Sequence, residues 1–155
     1  MQEANRRIFE TALERVRYGY GLRVYGYVVM PDHVHLLLSE TSRQTLADAL
    51  KSLKQGVSRR LIGGSGHFWQ KRYSDFNILT AAKFTQKLRY VYRNPVRAGL
   101  YSLPGDWEWS SFSHYATGCE GRVEIESKWT AQKRERAEAD QFHSSQSPPS
   151  SHNQA

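Results

Sequence analysis

The chain has 155 residues, of which 39% are hydrophobic, and a formal net charge of +7, values that suit one modest core with a basic surface. Its single cysteine, Cys119, excludes a disulfide framework and a thiolate zinc site. No apolar run reaches membrane-spanning length, and MQEANRRIFE lacks the apolar stretch of a signal peptide, so we expect a cytoplasmic protein without a membrane partner.

The first third of the chain predicts a helix followed by a β-hairpin. Residues 3–17 place apolar side chains at helical spacing, and Gly19 and Gly21 follow as a stop signal. The segment LRVYGYVVM is typical of a strand, Pro31 and Asp32 of a tight turn, and HVHLLLSE of the returning strand.

Two further helices are predicted with an aromatic strand between them. Thr45 is the expected N-cap of the second helix, which ends before GGSG, and HFWQKRYSDFNIL has the composition of a strand. Thr80 is predicted to cap the third helix, which should end at Asn94 because the residue before a proline disfavours helical geometry.

This order of elements predicts an α+β sandwich with helices packed on one face of a mainly antiparallel sheet. We assign residues 1–117 to this domain and 118–143 to a charged C-terminal extension. Residues 144–155 form a disordered tail by composition.

Positive charge is concentrated in the middle of the chain. From Arg43 to Arg97 there are twelve Lys and Arg residues against two acidic ones, a local net charge of +10. A solvated basic face would explain the charge alone. The aromatic residues between these cations favour nucleic acid, because bases stack on rings while cations hold phosphates.

The strand HVHLLL separates its side chains into two sets. Val34, Leu36 and Leu38 should face the helices, while His33 and His35 project together on the other face. Two such imidazoles can bind one divalent cation. A bare His-x-His pair is nevertheless more often a pair of polar residues on a solvated face.

The third helix carries a second pair of candidates. Tyr90 and Asn94 are four residues apart and therefore neighbours on one helical face, and Tyr90 lies off the apolar stripe. Taken singly, Tyr90 could be a rim residue of an amphipathic helix and Asn94 a capping residue.

The segments YGYVVMPDHVHLLLSE, FWQKRYSDFN, LRYVYRNPVRAGL and DWEWSSF resemble, in order and spacing, the REP-associated tyrosine transposases. These belong to the IS200-like, single-tyrosine HUH nuclease-transposase superfamily, and the resemblance covers roughly residues 8–112. It implies a ferredoxin-like sheet backed by helices and cleavage of single-stranded DNA beside palindromic hairpins. It makes His33, His35 and Asn94 the metal ligands and Tyr90 the nucleophile.

The chemistry agrees with this resemblance. A tyrosine hydroxyl, with a reference pKa of about 10, is a weak nucleophile at neutral pH, and the scissile phosphodiester is anionic. Mg²⁺ accepts oxygen ligands and Mn²⁺ suits imidazoles better, so we expect either cation to support activity. Attack by Tyr90 would leave a 5′-phosphotyrosine and a free 3′-hydroxyl, which a later 3′-hydroxyl can reverse.

The expected partner is single-stranded or hairpin DNA, and the sequence leaves monomer and homodimer open. Any of the candidate contact residues could instead be an ordinary exposed residue. The candidates are Lys51, Lys54, Arg59, Arg60, Gln70, Lys71, Arg72, Tyr73 and Lys87.

Two other functions share part of this pattern. A histidine-triad nucleotide hydrolase needs a third alternate histidine, and Leu37 occupies that position. A non-catalytic DNA- or RNA-binding module of the same fold stays open, although His33, His35, Tyr90 and Asn94 are all present.

Family members begin with a further strand that lies beside the histidine strand. Here Met1 falls almost at the first helix, and MQEANRR cannot form that strand. We therefore expect an N-terminally truncated chain that is marginally stable, self-associating and weakly active, with an unpaired edge on the histidine strand. The alternative is that RVEIESKW fills the vacant position.

Overall fold

The computed structural model describes residues 3–61 and 80–145, which fold into helices around a β-hairpin. The strand predicted in HFWQKRYSDFNIL and the tail beyond residue 145 lie outside these ranges. A 3-10 turn at Pro104–Asp106 precedes the fourth helix. The elements are α1 (Glu3–Tyr20), β1 (Val24–Val29), β2 (Val34–Leu38), α2 (Leu46–Leu61), α3 (Ala81–Arg97), α4 (Phe112–Thr117) and α5 (Lys128–Ser145).

The described sheet is an antiparallel hairpin, which confirms the predicted α+β class. Val28 pairs with His35 and Val29 with Val34. The Met30 N–H donates to the His33 carbonyl at 2.8 Å and closes the predicted Pro-Asp turn. The turn therefore fixes His33 at the start of β2.

Helices lie on both faces of this hairpin because β1 is apolar on both sides, so the predicted packing of all helices on one face is wrong. As predicted, α1 and α2 share the face onto which Val34, Leu36 and Leu38 pack. Helix α3 lies across the opposite face, which is the face of the histidines. On that side Val28 and Met30 contact Val91 and Tyr92, whereas Phe9, Leu13, Val16, Ala49, Leu53 and Val57 pack with Tyr27 and Val29 on the first.

The segment that follows the 3-10 turn covers the outer edge of β1. The Val29 N–H donates to the Trp109 carbonyl at 2.8 Å, and the Ser111 N–H donates to the Tyr27 carbonyl at 3.0 Å. This part of DWEWSSFSHY is thus bonded to the sheet, and it satisfies β1 donors and acceptors that β2 does not reach.

RVEIESKW lies beside β1 and not beside β2, where the sequence had offered it as a substitute strand. Ile125 forms a parallel bridge with Val24, and the Glu126 N–H donates to the Val24 carbonyl at 2.7 Å. Within residues 3–61 and 80–145, no segment pairs with the other edge of β2.

Helix α3 continues through Pro95 to Arg97, so its predicted end at Asn94 is wrong. Pro95 has no N–H for the Val91 carbonyl, and the Asn94 side chain places its Nδ2 3.5 Å from that oxygen. Pro95 is also fully buried, and its packing offsets the lost backbone bond. The predicted cap is confirmed, since Thr80 Oγ1 accepts from the Lys83 N–H at 3.2 Å.

The C-terminal part contributes to the core before it becomes exposed. Val123 and Ile125 are buried with α1 and α2, whereas α5 has no buried residue. Ser144 and Ser145, which composition assigns to the tail, close α5. Among the helices of the described ranges, none has the length and apolarity required to cross a membrane.

At Gly26, side chains of α3 pack tightly against the backbone of β1. A Cβ added there would lie 2.8 Å from Leu88 Cδ1 and 2.8 Å from the Tyr92 hydroxyl oxygen, which is closer than side chains tolerate. The glycine therefore leaves room for the Leu88 and Tyr92 side chains of α3 to pack on β1, next to the histidine strand.

Gly26→Ala should lower the free energy of unfolding by about 1–3 kcal/mol, because the Leu88 and buried Tyr92 side chains must shift to make room for the methyl group. Chemical denaturation measures this change. Gly19→Ala is the matched control, since a Cβ at Gly19 meets nothing within 4 Å. Equal denaturation midpoints for the two variants would show that the approach at Gly26 is not tight.

Candidate metal and nucleophile site

His33 and His35 project from the same face of β2, as the strand alternation predicts. Their Nε2 atoms are 3.0 Å apart, and the two rings meet edge to face with centroids separated by 4.7 Å. The side chain of His33 is 46% exposed, while His35 is half-buried under α3. The pair thus presents two ring nitrogens at one point that solvent can reach.

Asp32 orients the first histidine. Its carboxylate oxygen accepts a hydrogen bond from His33 Nδ1 at 2.7 Å, and this bond lowers the pKa of Asp32. A proton held on Nδ1 makes His33 Nε2 the acceptor of a 3.0 Å hydrogen bond from His35 Nε2, and the same lone pair is the one that could coordinate a metal ion. Asp32 therefore directs the His33 lone pair towards His35.

The environment of His35 favours its neutral form. Burial lowers the pKa of His35, and the neighbouring His33 lowers it further, while the Asn94 side chain acts in the opposite direction. A neutral imidazole is the state required of a metal ligand.

Asn94 lies on α3 opposite this pair, one turn after Tyr90. Its Nδ2 donates to the Tyr90 carbonyl at 2.8 Å and lies 3.5 Å from the Val91 carbonyl. Because the amide nitrogen is held by the helix backbone, the amide oxygen is turned away from the backbone and is available as a ligand.

The Tyr90 ring lies beside the histidine pair. The ring meets His35 edge to face with centroids 5.9 Å apart, and the side chain is 42% exposed. Two cations of the same helix lie over the ring, Lys87 with Nζ 5.6 Å and Arg97 with Cζ 5.3 Å from its centroid. The phenol therefore lies in a positive environment beside the histidines.

Three other tyrosines have hydroxyls that are already engaged. Tyr27 donates to a buried glutamate at 2.7 Å, Tyr92 bonds with Ser111 at 2.8 Å, and Tyr115 donates to a β1 carbonyl at 2.8 Å. Burial raises the pKa of all three hydroxyls, that of Tyr115 to about 12. Tyr90, by contrast, combines exposure with contact to the histidine pair.

The donor set suits a divalent cation. The described residues contain no cluster of three His, Cys, Asp or Glu side chains that could hold a metal ion, so the third donor would be the Asn94 amide oxygen. Two nitrogens in adjacent octahedral positions at about 2.1 Å from one ion are about 3.0 Å apart. The observed separation of His33 Nε2 and His35 Nε2, 3.0 Å, fits that arrangement.

The predicted DNA contacts are distributed unevenly. Lys87 lies at the Tyr90 ring. The cations of α2 lie across the sheet from Tyr90, because α2 packs with α1 on the other face. Gln70, Lys71, Arg72 and Tyr73 lie outside the described residues, while Lys51, Lys54, Arg59 and Arg60 are the α2 cations.

Sequence reasoning missed two contributors to this site. Arg97 follows Tyr90 by seven residues, which is almost two full helical turns, so helical spacing alone could have nominated it. The predicted end of the helix at Asn94 removed that signal. The sequence places Asp32 only in the turn, and its hydrogen bond to His33 has no signature in the spacing of the residues.

The family model described as transposase IS200-like matches residues 1–94. The ISDra2 transposase TnpA of Deinococcus radiodurans is 39% identical over 75 residues, covering 43% of this chain and 51% of that protein. The REP-associated tyrosine transposase of Escherichia coli K12 is 23% identical over 103 residues, covering 65% and 61%. The chain spans between 51% and 66% of the length of the curated relatives it matches.

A solved structure, that of the REP-associated tyrosine transposase bound to a REP hairpin, superposes with a TM-score of 0.67 at 20% sequence identity. The match covers 81% of this chain and 76% of the other, and it establishes a shared fold. Since the family model spans more than half of the sequence, the chain belongs to the IS200-like transposase family.

Proposed function

We propose that the chain is a divalent-metal-dependent endonuclease and strand transferase that cuts single-stranded DNA beside hairpins, with Tyr90 as the nucleophile. The observation that carries this proposal is the meeting of β2 and α3 at one point. There His33 and His35 lie 3.0 Å apart, and the Tyr90 ring lies 5.9 Å from that of His35.

In this mechanism His33, His35 and Asn94 would hold the cation. When bound, the ion would neutralise and polarise the scissile phosphate. Asp32 keeps the proton on His33 Nδ1, so that the Nε2 lone pair is available. Lys87 and Arg97 add positive charge where the anionic strand must approach.

Tyr90 would carry out the covalent step. Its hydroxyl oxygen forms a bond to phosphorus, and the bond between phosphorus and the 3′ oxygen breaks. The phenolic proton passes to water, and the departing 3′ oxygen takes up a proton from water. The product is a 5′-phosphotyrosine, which a 3′-hydroxyl can attack in the reverse sense to join strands.

The proposed partner is single-stranded or hairpin DNA. Its support is the basic segment between Arg43 and Arg97 and the solved relative, which is bound to a REP hairpin. Lys87 would contact the strand near the cut, and the α2 cations would contact a hairpin stem on the other side of the sheet.

Incubation of the purified chain with a labelled hairpin carrying single-stranded flanks tests the proposal. In Mn²⁺ or Mg²⁺ we expect a covalent protein–DNA band on a denaturing gel, and chelation with EDTA should remove it. DNA binding without any covalent band, in either metal, would favour the non-catalytic binding module of the same fold.

DNA affinity should fall steeply with salt concentration. Each phosphate neutralised on a single strand contributes about −0.7 to the slope of log K against log salt, so several contacts give a slope of several units. Arg59→Gln combined with Arg60→Gln should reduce the slope by about 1.8, because the proposed contacts are to the double-stranded stem, where each phosphate contributes about −0.9. Fluorescence anisotropy from 50 mM to 300 mM KCl would measure it.

Lys133→Gln is the control for that titration, because Lys133 lies on α5 and pairs with Glu120. It should leave the slope unchanged. A slope near zero for the unaltered chain would show that the basic segment does not neutralise DNA phosphates. An unchanged slope in the double α2 variant would exclude α2 from DNA binding but would leave the rest of the basic segment as a candidate.

A further inference from the structure

Arg97 is an exposed residue at the last turn of α3 whose guanidinium lies over an aromatic ring. Its Cζ is 5.3 Å from the centroid of the Tyr90 ring. Helix α3 contains no acidic residue that could hold the guanidinium instead. A guanidinium over a tyrosine face is attracted by the negative charge of that face.

The Tyr90 ring depends on such contacts for its orientation. With 42% of the residue exposed, apolar packing does not confine the ring. In the described part of the chain, its side-chain contacts are made through the ring, with His35, Lys87 and Arg97. The contacts with His35 and Arg97 limit rotation of the ring and leave the hydroxyl for a substrate.

The position of Arg97 depends on the continuation of α3 through Pro95. Had the helix ended at Asn94, residue 97 would not lie two turns beyond Tyr90 on nearly the same face. The buried Pro95 and the Asn94 contacts to backbone carbonyls stabilise this last turn. The same turn therefore presents the candidate ligand Asn94 and brings Arg97 back over the ring.

We propose that Arg97 is a positioning residue, which holds the Tyr90 ring against His35 so that the hydroxyl can attack the scissile phosphate in line. This inference rests on the proposed function of Tyr90. Displacement of a nucleophile by about 1 Å can reduce a rate by about 100-fold, so loss of this contact should slow the covalent step more than it weakens DNA binding.

The test compares Arg97→Gln with Arg93→Gln. Both remove one positive charge from α3, and Arg93 is an exposed residue of the same helix. Under single-turnover conditions with saturating DNA in Mn²⁺, we expect Arg97→Gln to form the adduct about 10- to 100-fold more slowly. Arg93→Gln should form it at nearly the original rate, and Arg97→Lys should recover part of the loss.

DNA affinity is measured in a Tyr90→Phe background, where the reaction cannot deplete the complex. The Arg97 and Arg93 substitutions should weaken binding equally. Equal rates of adduct formation in the two glutamine variants would overturn the positioning role. So would a loss of affinity at Arg97 so large that the DNA no longer saturates the variant in the rate measurement.

A second measurement does not depend on activity. In protein labelled with ¹³C at the tyrosine rings, the Tyr90 signal is assigned by its absence in Tyr90→Phe. It should shift in Arg97→Gln and stay in place in Arg93→Gln, and an unshifted signal would overturn the contact. If the unaltered chain forms no adduct, the proposed function fails, whereas this spectrum still decides whether Arg97 orients the ring. Should Arg97→Gln not fold, Arg97→Lys is judged by the same comparison with Arg93→Gln.

Discussion

Tyr90→Phe is expected to abolish the covalent protein–DNA adduct while leaving DNA affinity and thermal stability close to those of the unaltered chain. The substitution removes the hydroxyl oxygen alone. The ring, with its contacts to His35 and the two cations of α3, stays in place. Denaturing gels measure the adduct, and anisotropy measures binding.

Two further tyrosine variants make this result specific. Tyr18→Phe changes a residue that is 75% exposed and should leave cleavage unaltered. Tyr92→Phe breaks a buried bond to Ser111 and should lower stability by about 1 kcal/mol without removing the adduct. An adduct that persists in Tyr90→Phe would exclude Tyr90 as the nucleophile.

His35→Ala should eliminate metal-dependent cleavage, and His33→Ala should do the same. Each substitution removes one of two ring nitrogens that lie 3.0 Å apart. One imidazole and the Asn94 amide oxygen are then the only candidate ligands that remain of the proposed three. Titration calorimetry with Mn²⁺ should show the loss of binding directly. The fold should survive, because neither imidazole belongs to an apolar cluster of the core.

His143→Ala is the matched control, since His143 is exposed on α5 and bonds only within that helix in the described chain. It should retain Mn²⁺ binding and cleavage. If His33→Ala or His35→Ala unfolds at room temperature, the histidines are structural. Full cleavage in both variants would contradict the metal assignment.

Most of the structural elements that the sequence predicts correctly follow from local patterns. The hairpin followed from alternation around the Pro-Asp turn, and Thr80 was identified as a cap because its hydroxyl can accept from the Lys83 N–H. The end of α3 was mispredicted because Pro95 disfavours helix locally, whereas burial of its ring and the Asn94 side chain offset that cost. Such tertiary compensation is not visible in spacing.

The sequence also predicts only part of the candidate site. The histidine pair and the Tyr90–Asn94 pair follow from the periods of a strand and a helix, and the structure brings the two pairs together. Their meeting required α3 to pack on the histidine face, where Gly26 of β1 leaves room for Leu88 and Tyr92. The sequence indicated neither that packing nor the path of RVEIESKW along β1.

The most direct test of the central claim is to locate the nucleotide on the protein. After reaction in Mn²⁺, digestion with nuclease and trypsin should release a peptide of residues 90–93, YVYR, that carries a 5′-linked nucleotide. Fragmentation in a mass spectrometer distinguishes its two tyrosines. We predict the nucleotide on Tyr90, and its recovery on Tyr92 or on any other residue would contradict the account.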